Sequence, residues 1–229
     1  KVPTNVDVEI SASLTGNLPT IVGLFTGRAG LEKPNLEDAV VVRNKKVLIY
    51  GGSSSVGYLS VQYVSQAGYT VVTTSSPKNH EVVSKLGAAK VIDHTQAKED
   101  LIKALINEGP FDLVVDTIAT APSTAISGAV VAAQGGGKLY ATLPPFGPET
   151  LPTNVTRVYQ PWSTPLFEPG NEDLPQWAFH EYLTSGLASG KIVPLPIQKV
   201  DGGLKNVNVA LDLLEKGVSG VKLVLDPWA

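Results

Sequence analysis

Seven consecutive residues, Gly51-Gly52-Ser53-Ser54-Ser55-Val56-Gly57, are the first in this chain that could do chemistry. They lie between an apolar run and a segment with helical periodicity. A glycine turn that opens a helix presents unpaired backbone N–H groups, and the helix dipole adds partial positive charge. Together these hold a phosphate. Read as G-x-G-x-x-G, the pattern falls on Gly52, Ser54 and Gly57, with serine in the middle place. That place sets how closely the backbone approaches a pyrophosphate, so serine tightens the approach and offers a hydroxyl. Turns of this kind also join strands to helices in sheets that bind no nucleotide, so the motif alone leaves both readings open.

A second group follows about twenty residues on, where an NAD site places an acid to hold the adenosine 2′-hydroxyl. Here the chain reads Ser75-Ser76-Pro77-Lys78-Asn79, with hydroxyls, an amide and a cation but no carboxylate. Ser76, Lys78 and Asn79 suit the 2′-phosphate of NADP, because they donate to a dianion that an acid would repel. The other reading is a solvated turn in which Ser76 or Asn79 caps the next helix. His94 comes at the end of the third apolar run, either as a surface residue or beside the same phosphate.

The elements that must position these groups are legible from period and punctuation. Val47 to Tyr50 form a continuous apolar run, as in a strand buried on both faces. Leu59, Tyr63, Val64 and Ala67 recur at helical spacing, and Gly68 closes the segment. Strands are predicted at 70–74, 88–93, 111–119 and 138–143, with helices over 96–108 and 122–133. Asp116 and Thr117 then fall at the carboxyl edge of the sheet. This alternation predicts an α/β fold, a Rossmann-type doubly wound parallel sheet.

The flanks read differently. Residues 1–45 lack the pattern of a self-contained domain: a loop to Asp7, then a short apolar helix pattern broken by Pro19, Gly16, Gly23 and Gly27. Those small residues either allow close packing against a neighbour or mark only a packed lead-in helix. Pro34 and the acidic pair Glu37-Asp38 precede the first strand. From Pro144 to Pro175 prolines crowd beside Phe146, Tyr159, Trp162 and Phe167, too many for regular elements. This stretch is read as a substrate-side wall, or else as a wrap over the sheet edge. Its prolines disfavour strand pairing with a second copy and tilt the expectation towards a monomer. A helix carrying Trp177, Tyr182 and Leu183, a strand-like IVPLPIQKV, an amphipathic helix and a strand at 221–225 complete the chain.

Composition narrows the classes. The chain has 229 residues, 43% of them hydrophobic and 17% charged, with net charge −3, which describes a soluble globular protein. Its eighteen Lys and Arg are scattered and form no basic stripe for nucleic acid. No apolar run approaches the ~20 residues of a membrane span, and the start is not a secretory signal, so a cytoplasmic protein is expected. Cysteine is absent and only His80, His94 and His180 carry imidazole, so no metal site is expected. Methionine is absent too, and Lys1 is therefore not expected to be the natural start.

In their order, VLIYGGSSSVG, LGAAKVIDH, GPFDLVVDTI, GGKLYATL and VNVALDLLEKGVSGVKLVL resemble the medium-chain dehydrogenase/reductase superfamily, in its zinc-free quinone and enoyl reductase branch. The run SSPKNHEVVSKLGAAKVIDH is similar to the trans-acting enoyl reductases of fungal polyketide pathways. The resemblance implies NADP(H) as cofactor. It implies that Gly52, Ser53, Ser54, Ser55 and Val56 lie under the pyrophosphate and that Ser76, Lys78 and Asn79 hold the 2′-phosphate. His94 stands where an aromatic residue is usual. Leu143-Pro144 and Val224-Leu225 would approach the nicotinamide, with Ile118 and Thr26 as lesser contacts. It also implies a division into a lead-in at 1–45, a cofactor domain at 46–190 with its proline-rich loop 144–175, and a return segment at 191–229. The outer segments would be remnants of a second, GroES-like catalytic domain that is otherwise missing.

The expected activity is NADPH-dependent hydride transfer to an activated C=C bond of an enoyl thioester, enone or quinone. A small-molecule or acyl-thioester substrate and a polyketide synthase partner go with it. No residue is assigned as catalytic acid. The alternative is a module of the same fold that binds nucleotide, or a partner, and has lost catalysis.

Overall fold

A computed structural model describes residues 2–37 and 39–229; Lys1, and Asp38 of the acidic pair, lie outside them. The chain opens with α1 (Val8–Thr15), capped by Asp7, whose Oδ1 accepts from the Glu9 N–H at 3.2 Å. Next comes α2 (Leu18–Ile21), continued by a π-helical stretch, Val22–Arg28. The expected break falls just before Pro19, where α1 ends at Thr15 with Gly16 as its C-cap. The proline sits in the first turn of α2, where no intrahelical N–H is needed, and it starts the helix.

Six strands follow: β1 (Lys46–Tyr50), β2 (Thr70–Ser75), β3 (Lys90–Asp93), β4 (Leu113–Asp116), β5 (Gly137–Ala141) and β6 (Val155–Val158). Between them run α3 (Ser55–Gln66), α4 (His80–Lys85), α5 (Lys98–Glu108) and α6 (Ala121–Ala133). All six strands are parallel, in the order β3-β2-β1-β4-β5-β6. On β1, Val47 and Ile49 enter one core with α2 and α3, while Leu48 and Tyr50 enter the other with α5 and α6. Burial on both faces explains the unbroken apolar run.

β6 corrects one expectation. The interval 144–175 was expected to hold no regular element, yet Gly137↔Val155 and Tyr140↔Val158 are in register on the sheet edge. Residues 155–158 contain no proline, so every ladder N–H is available there, and Pro152 and Pro161 only bound the strand. Proline therefore does not block the edge strand itself, and that argument for a monomer loses its ground. Beyond it the chain wraps back: the Trp162 indole donates to the Ala141 carbonyl at 2.8 Å and is buried.

The remainder comprises α7 (Asp173–Gln176), continuous through a π-helical stretch (Trp177–Tyr182) with α8 (Leu183–Ala188), then α9 (Val207–Glu215). β7 (Ile197–Lys199) and β8 (Lys222–Val224) form a small parallel sheet of their own.

Candidate functional site

β1 and β4 are neighbours in the sheet, but the chain reaches β4 only after building β2 and β3 outward on the other side. Their carboxyl ends therefore flank the point where the order reverses, the place at which open α/β sheets bind ligands. Thr117, just past β4, joins the two: its hydroxyl donates to the Tyr50 carbonyl at 2.8 Å, at the end of β1.

The turn after β1 is compact because its glycines leave no room for a side chain. Gly51 has φ +93° and lies against Ile118, where an added Cβ would come within 2.6 Å of Cγ1. At Gly52 a Cβ would meet Thr73 Oγ1 at 2.3 Å. At Gly57 it would lie 2.1 Å from the Gly51 carbonyl oxygen, so α3 can pack on its own turn only with glycine there. Of the three places in the fingerprint, Ser54 is the N-cap: its Oγ accepts from the Gly57 N–H at 3.0 Å and lies 3.0 Å from Thr117 Oγ1. Because the Thr117 proton goes to Tyr50, Ser54 donates its own to Thr117. Its hydroxyl fixes the turn and is not free for a phosphate. Ser53, Ser55 and Val56 stand around the first turn of α3, only half-buried.

Asp116 closes this region from β4. It is fully buried, and its Oδ1 accepts from the N–H groups of Ile118 and Ala119 at 2.9 and 2.8 Å. Among the described residues its Oδ2 has no hydrogen-bond partner. Burial pushes the carboxyl above its ordinary range, against the Ala119 N–H. Burial, with Asp116 nearby, likewise pushes the Tyr50 phenol up to about 12.

The group after β2 forms a single turn of 3₁₀-helix, Pro77–Asn79, leading into α4. Neither Ser76 nor Asn79 makes a side-chain cap bond. Asn79 Nδ2 instead donates to Ser76 Oγ at 3.3 Å and to Ser219 Oγ at 2.9 Å. Lys78 is exposed and has no carboxylate partner among the described residues. His94 is exposed just past β3, and its N–H donates to the Ser75 carbonyl at 3.2 Å. His80, which sequence reasoning passed over, puts Nε2 3.1 Å from the same carbonyl. Its place after the Pro77 turn was the available signal.

The remaining candidates are more scattered. Leu143 follows β5, and its carbonyl accepts from Arg157 Nη2 at 2.8 Å. Arg157 Nε lies 3.1 Å from Glu149 Oε2 in an almost buried ion pair that anchors this loop. Thr26 lies away from the turn, 2.5 Å from the Tyr63 hydroxyl. Tyr63 is eight residues into α3, roughly 12 Å along the helix from Ser55. Val224 pairs with Lys199 on β7 and, with Glu9 and Asp226, lines a cavity of about 180 Å³, with Leu225 next in the chain. From the same segment, Ser219 and Lys222 reach the turns after β2 and β1: Lys222 Nζ donates to Ser55 Oγ at 3.0 Å. Asn17 Nδ2 donates to that oxygen from the other side, at 2.6 Å. Among the described residues no three His, Asp or Glu side chains gather to hold a metal. No helix there is long and apolar enough to cross a membrane.

This is the architecture of a dinucleotide-binding α/β domain, with a glycine turn at the switch point of a six-stranded parallel sheet. In sequence the chain is similar to fungal trans-enoyl reductases. It is 32% identical over 230 residues to the trans-enoyl reductase himH of Aspergillus japonicus, covering 99% of this chain and 64% of that protein. It is 27% identical to the enoyl reductase component of lovastatin nonaketide synthase, lovC of Aspergillus terreus, covering 98% and 66%. No family model matches it. Among solved structures it superposes on a Pseudomonas syringae quinone oxidoreductase with TM-score 0.72 and 21% identity, covering 99% of this chain and 67% of that one. A mycobacterial protein solved in complex with NADPH gives TM-score 0.71 and 21% identity, again covering 99% and 67%. The chain spans 53% to 66% of the length of the curated relatives it matches.

Proposed function

We propose that this chain is the cofactor-holding part of an NADPH-dependent reductase of activated C=C bonds. The observation that carries the reading is the turn after β1. Its glycines admit no Cβ, and Ser54 is spent on capping, which leaves the first N–H groups of α3 as the polar face presented outward. Backbone N–H groups of Ser53, Ser55 and Val56 would take the pyrophosphate. Ser76, Lys78 and Asn79 would take the 2′-phosphate, with His94 or His80 beside it; the exposed Lys78, without a carboxylate partner among the described residues, supports this role.

When bound, the dihydronicotinamide supplies a hydride to an electron-poor double bond, such as that of an enoyl thioester, enone or quinone. The chain's own part is orientation. Leu143, held through its carbonyl by Arg157, would border the nicotinamide together with Ile118. An acyl-thioester substrate and a polyketide synthase partner go with this reading, which the name of lovC, the enoyl reductase component of a nonaketide synthase, supports. A second reading is nucleotide binding without turnover, since the same fold serves both.

Titration with NADPH and NADH, followed by a 2-alkenal, a quinone and an enoyl thioester, tests both. Fluorescence enhancement of NADPH with turnover of one acceptor is expected. No response to either nucleotide would end the reading. Binding without turnover would leave the module.

A further inference from the structure

The amino ends of the strands, opposite the turn after β1, hold a cavity of about 400 Å³ that the cofactor reading does not use. Its volume falls within the range of small-molecule sites, roughly 300–1,000 Å³. β1 is five residues long, so the two edges of the sheet stand roughly 15 Å apart. A ligand here is separate from one at the switch point.

Strand register explains what lines the cavity. Val47 pairs with Leu113 and Val115 with Tyr140, so two residues earlier Lys138 stands beside Leu113. Side chains two apart along a strand share a face. Val47 and Leu113 turn into the core with α2 and α3, and Tyr140 packs against it. Lys138 and Lys45, two residues before Tyr140 and Val47, therefore belong to that face. The two lysines flank Val47 and Leu113 with Cα atoms roughly 12 Å apart, two strand spacings across and two residues along. Tyr69, Phe111 and Tyr140 make the lining largely aromatic, and the lead-in closes one side at residues 29–31. At Gly30 and Gly137, both on the lining, an added Cβ would meet nothing within 4 Å, so no side chain there overhangs the entrance.

The polar groups around it divide into those already engaged and those left over. Gln134 Nε2 donates to the Phe111 carbonyl, and its Oε1 accepts from the Phe111 N–H, both at 2.9 Å. Asp112 Oδ2 accepts from the Lys46 N–H at 2.8 Å. Lys45 and Lys138 are exposed and have no carboxylate partner among the described residues. Two cations against one carboxylate leave the lining with a single net positive charge.

We propose that this cavity is a second ligand site, one that takes a small monoanion with a flat aromatic body, such as an aromatic carboxylate. Lys45 and Lys138 meet the charge, and the ring lies over Val47 and Leu113 among the aromatic side chains. A single net charge suits a carboxylate better than a phosphate dianion. The inference stands apart from the cofactor reading.

The test uses salicylate as probe and benzyl alcohol as a neutral counterpart, each titrated by calorimetry. The proteins are the wild type, the double variant Lys45→Met/Lys138→Met, both single variants, and Lys98→Met as a control for surface charge. Salicylate is expected to bind once per chain with a dissociation constant of about 1 mM or tighter. The double variant should bind it about ten-fold more weakly or worse, and benzyl alcohol should bind the wild type equally poorly. Lys98→Met and saturating NADPH should change nothing. Both lysines are exposed, so melting temperatures should match the wild type; if the double variant unfolds, the single variants decide, each expected to lose about three-fold or more. No binding of salicylate would overturn the proposal, as would equal affinity in the lysine variants or for benzyl alcohol. Displacement by NADPH would place the anion on the phosphate turn and overturn it too.

Discussion

The carbonyl oxygen of Trp162 occupies the space that a side chain at Gly23 would need, only 1.7 Å from where the Cβ would stand. The lead-in helix and the wrap beyond β6 are therefore one packed unit. At Gly27 a Cβ would likewise meet Pro165 Cβ at 2.7 Å. Gly23 and Gly27 do serve close packing, against a segment some 140 residues away, whereas Gly16 faces open space.

Gly23→Ala is accordingly expected to be costly. The backbone at Trp162 would have to retreat and break the indole bond to Ala141, with overpacking costing about 1–3 kcal/mol. Urea denaturation followed by tryptophan fluorescence measures it. A variant within error of the wild type would show that the wrap is loosely seated.

Gly57→Ala disturbs the phosphate turn itself. With the Gly51 carbonyl oxygen 2.1 Å from the new Cβ, α3 must shift off its turn. The expected result is a destabilisation of about 3 kcal/mol and the loss of measurable nucleotide binding. Retained NADPH affinity would place the nucleotide elsewhere.

Lys78→Glu separates the two cofactors. Replacing the exposed cation by an acid next to a 2′-phosphate should weaken NADPH by about 1–3 kcal/mol and leave NADH unchanged. Equal loss for both would remove Lys78 from the adenosine end.

Asp116 links stability to pH. Its folded-state carboxyl is raised by burial, so the protonated form is favoured on folding. That contribution is full below the unfolded value of 3.8 and is lost as pH rises through the elevated folded value. Asp116→Asn keeps an acceptor for Ile118 and Ala119 and cannot ionise. It should be as stable as the wild type or more so at pH 7, with a flatter profile above the unfolded value of 3.8, where the raised carboxyl titrates in the folded state. Asp116→Ala strands the buried N–H of Ala119 and the part-buried N–H of Ile118 and should lose about 2–4 kcal/mol at any pH. Melting temperatures of both variants across that range check the sign.

Much of the cofactor half can be read directly from the residues. The run Val47–Tyr50, the Gly52 and Gly57 spacing and the carboxylate-free Ser76–Asn79 turn are local signals, each set by neighbours within a few residues. One element was not legible: β6 is hidden because a four-residue strand between prolines has no period to detect, and it exists only because β5 offers it an edge. The break before Pro19 is legible, because a proline that cannot continue one helix can stand in the first turn of the next.

Sequence alone thus determined the alternating α/β order, the position of the phosphate turn and the chemical character of the residues at its adenosine end. These follow from backbone preference and side-chain type over short spans. Tertiary structure alone decided that Ser54 is a cap, that Gly23 seats Trp162 and that Lys222 meets Ser55. Each depends on atoms brought together across long stretches of chain, and no local rule of spacing encodes which distant groups will share a few ångströms of space.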